Sequence, residues 1–175
     1  MNVILNKKVL SQFLDRAVET LKGEWLLVGG TLLPAVGLDV RATVDIDLVG
    51  LSAKESAQSL ELMKLVEELK LPVESVNQAA AFFVHRAGYT KSDLLPLRQS
   101  RKCVIYRPSV LLYWKLKLAR MTETDAIDCQ HYLNYCIGQG DVINRREMNK
   151  ALRLAAQTAA SQEALERILG LANAR

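Results

Sequence analysis

Two acidic residues separated by one, Asp45 and Asp47, and a glycine pair, Gly29 and Gly30, are the residues of this 175-residue sequence whose types and spacing could do chemistry. In an extended strand side chains alternate, so the two carboxylates share a face, about 6.5 to 7 Å apart. Strands are depleted in Asp and like charges on one face repel, so such a pair needs a compensating partner or water. A hard divalent cation, Mg²⁺ or Mn²⁺, is one such partner, because it takes a few carboxylates plus substrate oxygens. Glycines at the end of a strand let the backbone approach a phosphate closely, and the amides that open the following helix offer it donors. Thr31 could add a hydroxyl. Together these groups suit a metal-bound triphosphate held for in-line attack. The plainer alternatives are a tight turn at the glycines and a water-facing edge strand at the acids.

The elements that must position these residues are legible from periodicity. Val9, Leu10, Phe13, Leu14, Ala17, Val18 and Leu21 recur at helical spacing, and Gly23 ends that helix. Trp25 to Val28 is an apolar run of strand length stopped by Gly29 and Gly30, followed by a short helix from Thr31 to Val36. Thr43 to Val49 alternates as a strand, with Val44, Ile46 and Leu48 opposite Asp45 and Asp47. Ser52 and Glu55 form a capping box for a helix running to about Lys70, where Pro72 forbids continuation. Asn77 to Arg86 fits helix better than strand. Leu94 to Leu97 and Lys102 to Tyr106 read as a hairpin around Arg98 to Arg101. After Pro108 four helices follow, Ser109–Met121, Thr124–Tyr135, Arg145–Ala159 and Gln162–Leu171, with Ser109, Thr122, Asn144 and Ser161 as N-caps. Gly138 and Gly140 mark a linker, which divides the chain into residues 1–137 and a C-terminal helical hairpin of residues 138–175.

Composition narrows the class further. Half the residues are hydrophobic and 24% charged, as in an ordinary globular protein. The net charge of +4 is spread along the chain, and its closest cluster, Arg98, Arg101, Lys102 and Arg107, reads as a solvated hairpin edge. Cys103, Cys129 and Cys136 have no metal or redox spacing and read as buried hydrophobes in a reducing compartment. No signal-peptide core and no membrane-length apolar run is present, so the expectation is a soluble, cytoplasmic protein without membrane contact. His85 and His131 have no partner at metal-ligand spacing and read as structural. Lys117 and Arg120 share a helix face and could reach a triphosphate, and Arg41 could contact a phosphate.

The string Val28-Gly29-Gly30-Thr31, followed after 14 residues beyond Gly30 by Asp45-Ile46-Asp47-Leu48, resembles the signature of the polymerase-beta-type nucleotidyltransferase superfamily. Lys115-Leu116-Lys117-Leu118-Ala119-Arg120, leading into Asp125 and Asp128, is similar to the downstream helices of nucleotidyltransferase-like proteins related to abortive-infection toxins. The resemblance implies an α/β (α+β) nucleotidyltransferase fold, a small mixed sheet flanked by helices with a C-terminal helical extension. It also implies a metal-dependent enzyme that moves an NMP from an NTP to a hydroxyl of a protein, RNA or small-molecule acceptor. Asp45 and Asp47 would hold Mg²⁺ or Mn²⁺. Gly29, Gly30, Thr31, Arg41 and Arg120 would contact the nucleotide, and Lys117 would join the catalytic residues. Family members usually add a third carboxylate from a later strand. Asp93 is the candidate and Glu74 the alternative. Without a third acid the chain would be a degenerate nucleotide-binding or protein-interaction module, a component of a toxin-antitoxin-like pair with a partner protein.

Overall fold

A computed structural model of the protein describes residues 5–40 and 42–173. Its elements are α1 (Lys7–Thr20), β1 (Gly23–Val28), α2 (Leu32–Ala35), β2 (Ile46–Gly50), α3 (Ala53–Ser56), α4 (Ser59–Glu68), β3 (Val76–Asn77) and α5 (Ala80–Ala87). They continue as β4 (Leu94–Gln99), β5 (Cys103–Pro108), α6 (Val110–Leu118), α7 (Glu123–Gly138), α8 (Arg145–Gln157) and α9 (Gln162–Asn173). The class is mixed α/β, with one five-stranded sheet in the order β3-β2-β1-β5-β4, flanked by helices. β1 is antiparallel to β2 and parallel to β5; β3 is parallel to β2, and β4 is antiparallel to β5.

Two compact units divide the described chain: residues 5–86 with 94–108, and residues 87–93 with 109–173. This differs from a boundary at 137/138. Gly138 is the last residue of α7, and the sharp turn falls at Gly140, whose φ is +74°. α6 and α7 belong with the later helices because their large side chains pack there. The Trp114 indole N–H donates to the Cys129 carbonyl at 3.1 Å, the Tyr113 and Tyr132 ring centroids are 4.5 Å apart, and α6 contacts α8 while α7 contacts α9. Ser109, Thr122, Asn144 and Ser161 each accept a backbone N–H three residues on, as N-caps do. Thr122 and Asp125 make the reciprocal capping box.

In the first unit α1 turns Leu10, Phe13, Leu14, Ala17 and Val18 into the core, the face its spacing defines. Trp25, Leu26 and Leu27 of β1 and Ile46, Leu48 and Val49 of β2 are fully buried. The β2 strand is shorter than the alternation implies. Residues 42–45 lie outside the ladder, and Val44 is 39% exposed instead of facing the core. The cause is visible in the register: β1 ends opposite Asp47, so residues before Ile46 have no β1 partner. Hydroxyls take over from the ladder at this point, because Thr31 and Thr43 both donate to the Asp45 carbonyl. β2 is also an interior strand, between β1 and β3, so Asp47 does not lie on a water-facing edge strand, while the exposed Asp45 precedes the strand. The hairpin basics differ from one another. Arg98 pairs with Asp15 at 2.7 Å, and Arg107 is buried at 8% exposure, while Arg101 and Lys102 face solvent.

The helix expected from Ser52 to Lys70 is broken into α3 and α4. At the break the Gln58 side chain accepts from the Lys22 N–H and donates to the Lys22 carbonyl, both at 2.9 Å. Glu55 does more than cap. Its carboxylate takes the Ser52 hydroxyl and the Glu24 N–H and fills the space that a side chain at Gly23 would occupy, while its Cβ and backbone lie where one at Gly50 would be. Burial works to raise the Glu55 pKa, but the Ser52 hydroxyl and neighbouring backbone N–H groups outweigh it and hold the carboxyl below its ordinary range. Glu55→Ala is therefore expected to cost about 1 kcal/mol in urea denaturation, because the Ser52 hydroxyl and the Glu24 N–H lose their acceptor. The wild-type contribution is complete above the ordinary glutamate pKa and is lost as pH falls through the depressed folded value. The wild-type and Glu55→Ala curves should accordingly converge in acid.

Candidate functional site

The corner where β1 ends is built by backbone geometry. Gly29 follows Val28 with φ +68°, a left-handed conformation that turns the chain away from the sheet. A Cβ placed on Gly29 would collide with the Asp47 carboxylate, so the absence of a side chain is what lets that acid lie against the turn. Asp47 is half-buried and Asp45 exposed, and the half-buried Gly29 and Gly30 follow directly on Val28, the β1 residue paired with Asp47. Glycine turn and acidic segment therefore meet.

Thr31 locks this corner. It is fully buried, and its hydroxyl donates to the Asp45 carbonyl, tying the start of α2 to the entry of β2. That hydroxyl is committed to the backbone, which makes Thr31 a positioning residue rather than a phosphate contact. Asp39 is exposed, and Arg41 lies outside the described residues.

The residue that sequence reasoning missed is Asn77. β3 pairs with β2 so that Asp47 lies opposite Asn77, and the Asn77 amide donates to Asp47 Oδ1 at 3.0 Å. Its other atom is also committed, since Asn77 Oδ1 accepts the Ala79 N–H at 2.9 Å. The amide orientation follows from these two bonds, a donor toward the carboxylate and an acceptor toward the backbone. An asparagine just ahead of the apolar run Ala79–Val84 is a helix-opening signal, but nothing local reveals that its side chain reaches Asp47.

The proposed third acids lie differently. Asp93 is in the second unit, where its Oδ2 takes the Thr90 N–H at 2.9 Å and its Oδ1 takes the Ser109 hydroxyl at 2.6 Å. It organises the turn ahead of α6. Glu74 is exposed, in the turn before β3. Among the described residues no group of three or more His, Cys, Asp or Glu is arranged to hold a metal ion. His85 and His131 are both exposed and so have no core role.

Lys117 and Arg120 serve a buried ion network in the second unit. Lys117, 5% exposed, donates to Asp125 Oδ1 at 2.9 Å and to Asp128 Oδ2 at 3.0 Å. Arg120 grips Asp125 in two-pronged fashion, with both bonds at 2.8 Å. Burial would raise the Asp125 pKa, but hydrogen bonds from Arg120, Lys117 and Thr122 outweigh it and hold the carboxyl far below its ordinary range. The three cysteines are free and buried. Burial, with the Glu55 charge, pushes the Cys103 thiol up to about 11, and burial raises Cys129 further, so neither is a thiolate near neutral pH. No helix among the described residues is long and apolar enough to cross a membrane. No known protein family, curated protein or solved structure matches this chain.

Proposed function

We propose that the chain is a nucleotidyltransferase-like protein that binds a nucleoside triphosphate with Mg²⁺ or Mn²⁺ at the Gly29–Asp47 corner and no longer transfers the nucleotide. The observation that carries this reading is the pairing of Asp47 with Asn77: the strand beside the acids presents an amide donor where a further carboxylate would complete a catalytic set. The donor chemistry fits a hard cation, because Asp45 and Asp47 supply carboxylate oxygens and the exposure of Asp45 admits water and phosphate oxygens. Such a cation would neutralise the polyphosphate and fix its orientation. Asn77 holds one oxygen of Asp47 by hydrogen bonding, and Thr31 fixes the backbone that carries Asp45. With two carboxylates engaged in binding, and with Asp93 committed to Thr90 and Ser109, the acid expected to take the proton from an attacking hydroxyl is engaged elsewhere.

The full chain should melt roughly 5 °C or more higher with Mg²⁺ and NTP at about 100 times the dissociation constant, and EDTA should remove the shift. Asp47→Asn should abolish it. No melting shift with any NTP, or an undiminished one in Asp47→Asn, would sink the binding reading. A second reading, active transfer of an NMP to a hydroxyl of a protein, RNA or small-molecule acceptor, keeps the same corner and is favoured by the meeting of acids and glycine turn. It predicts that α-labelled NTP leaves covalent label on the protein itself or on a component of cell extract, dependent on Asp45 and Asp47.

A further inference from the structure

The net charge of +4 is spread along the sequence, but the winding of α8 gathers part of it on one side. Over its 13 residues α8 carries Arg145, Arg146, Lys150 and Arg153 against one acid, Glu147. At 3.6 residues per turn, Arg146, Lys150 and Arg153 fall within a sector of about 60° and along about 10 Å of helix axis. Met148 and Leu152, the buried residues of α8, lie on the opposite side, so packing turns the basic row outward. All three cations are exposed, and among the described residues no carboxylate is within ion-pair distance of any of them.

The helix by itself gains nothing from this arrangement. Arg146 and Lys150 are four residues apart and Lys150 and Arg153 three, so like charges adjoin along the row and repel. Arg145 and Arg146 also open the helix, placing cations at the positive end of its dipole, where Glu147 is the one acid to offset them. A row that repels itself and has no counter-charge in the protein is complementary to an external polyanion.

The chemistry of the row selects among polyanions. A lipid surface takes up a helix whose apolar side is free to enter it, but that side of α8 is buried through Met148 and Leu152, and the helix packs on α6 and α9. A protein interface centres on aromatic or apolar anchors with charge at the rim, whereas here charge occupies the centre of the outward face and exposed Leu154 only flanks it. Single-stranded nucleic acid is held by stacking on aromatic rings as well as by charge, and α8 has no aromatic residue. That leaves a duplex. A helix fits the wide major groove of B-form DNA, while the major groove of A-form RNA is too narrow for side chains to enter. Each DNA strand presents a phosphate about every 3.4 Å of axis, so about three phosphates lie along the length of the row.

We propose that the outward face of α8 binds the phosphate backbone of double-stranded DNA through Arg146, Lys150 and Arg153, without reading its sequence. This function belongs to the second unit and goes beyond the nucleotide reading of the first.

The test is fluorescence anisotropy of a labelled mixed-sequence DNA duplex of roughly 20 base pairs with the full chain, in EDTA and without nucleotide. Its outcome is therefore independent of the Gly29–Asp47 corner. Three phosphate contacts predict that affinity falls about 40-fold between about 50 and 200 mM NaCl, a logarithmic slope near −2.7. The variant Arg146→Gln/Lys150→Gln/Arg153→Gln should lose the binding and nearly all of the slope. Because these side chains are exposed and unpaired, unchanged circular dichroism and melting temperature serve as the folding check. Lys22→Gln/Arg101→Gln/Lys102→Gln removes the same charge from exposed positions of the first unit and should bind DNA with the wild-type slope. Equal loss in both variants would make net charge, not the row, the cause and overturn the proposal. So would no duplex binding at the lowest salt. Tighter binding to an RNA duplex of the same length, to phosphatidylserine vesicles or to polyglutamate would overturn it as well, by assigning the row to another polyanion.

Discussion

Replacing Lys117 by methionine is expected to lower the stability of the chain by about 3–5 kcal/mol, the cost of leaving buried charge without its partner. Methionine nearly preserves the volume, so the deficit reports electrostatics rather than a cavity. Asp128 is fully buried, and the Lys117 ammonium lies 3.0 Å from its Oδ2. Asp125 keeps Arg120 and Thr122, but loses the ammonium at 2.9 Å. Lys117 also sits 5.6 Å from the Tyr113 ring centroid, close enough for a cation–π attraction that disappears with the charge. Urea denaturation of Lys117→Met beside Lys115→Met makes the comparison: the second, two residues away and in none of these ion pairs, should cost under about 1 kcal/mol. A Lys117→Met protein as stable as wild type would show that this lysine is held ready for a ligand instead of the fold. The Asp125 part of the network has a definite pH sense. Its folded pKa is depressed, so its contribution is complete at neutral pH and is lost only as pH falls through that low folded value.

Gly29→Ala carries the second large effect, on stability and binding together. The left-handed conformation at φ +68° costs a residue with a Cβ about 1–2 kcal/mol. The new methyl also displaces the Asp47 carboxylate and so strains its bond to Asn77, worth roughly another 1 kcal/mol. Gly88 provides the control, since its φ of +65° is nearly the same and nothing lies within 4 Å of where its Cβ would be. Gly88→Ala should show the conformational cost alone in urea denaturation. Gly29→Ala should exceed it and should also lose the Mg²⁺–NTP melting shift, which Gly88→Ala keeps. Equal destabilisation by the two substitutions, with the shift preserved in both, would mean that the close approach of Asp47 to the turn has no consequence for ligand binding.

What could be read from the residues was what local chemistry decides. The four N-caps of the later helices, the strand that stops at Gly29 and the amphipathic α1 all follow from patterns within a turn or two of chain. What could not be read depends on residues far apart. Asn77 matters because β3 pairs with β2 across some thirty residues, and a two-residue strand carries no periodicity to announce it. Glu55 looks like a capping residue because its neighbours define it as one, whereas its reach to Glu24 needs the sheet. Lys117 and Arg120 could be read as sharing a face, but not that this face meets Asp125 and Asp128, because α6 is apolar nearly all round, with Val110, Leu112, Tyr113 and Trp114 all buried, leaving no polar stripe to show which side turns inward. Asp93 stands beside apolar Leu94 and Leu95 as a strand-borne acid would, but those residues open β4 while the acid itself closes a turn onto Ser109.

The parallel pairing of β1 with β5 bears on how the chain is made. Gly23 to Leu26 are hydrogen-bonded alongside Cys103 to Tyr106, so one side of the central strand stays bare until some eighty further residues have been synthesised. Throughout that interval the nascent polypeptide exposes a flat row of unmet amides and carbonyls next to a strongly apolar segment, which is the form most open to pairing with a neighbouring chain. Closure of so distant a contact is slow, and on the ribosome the first unit reaches its final shape only when Pro108 has emerged.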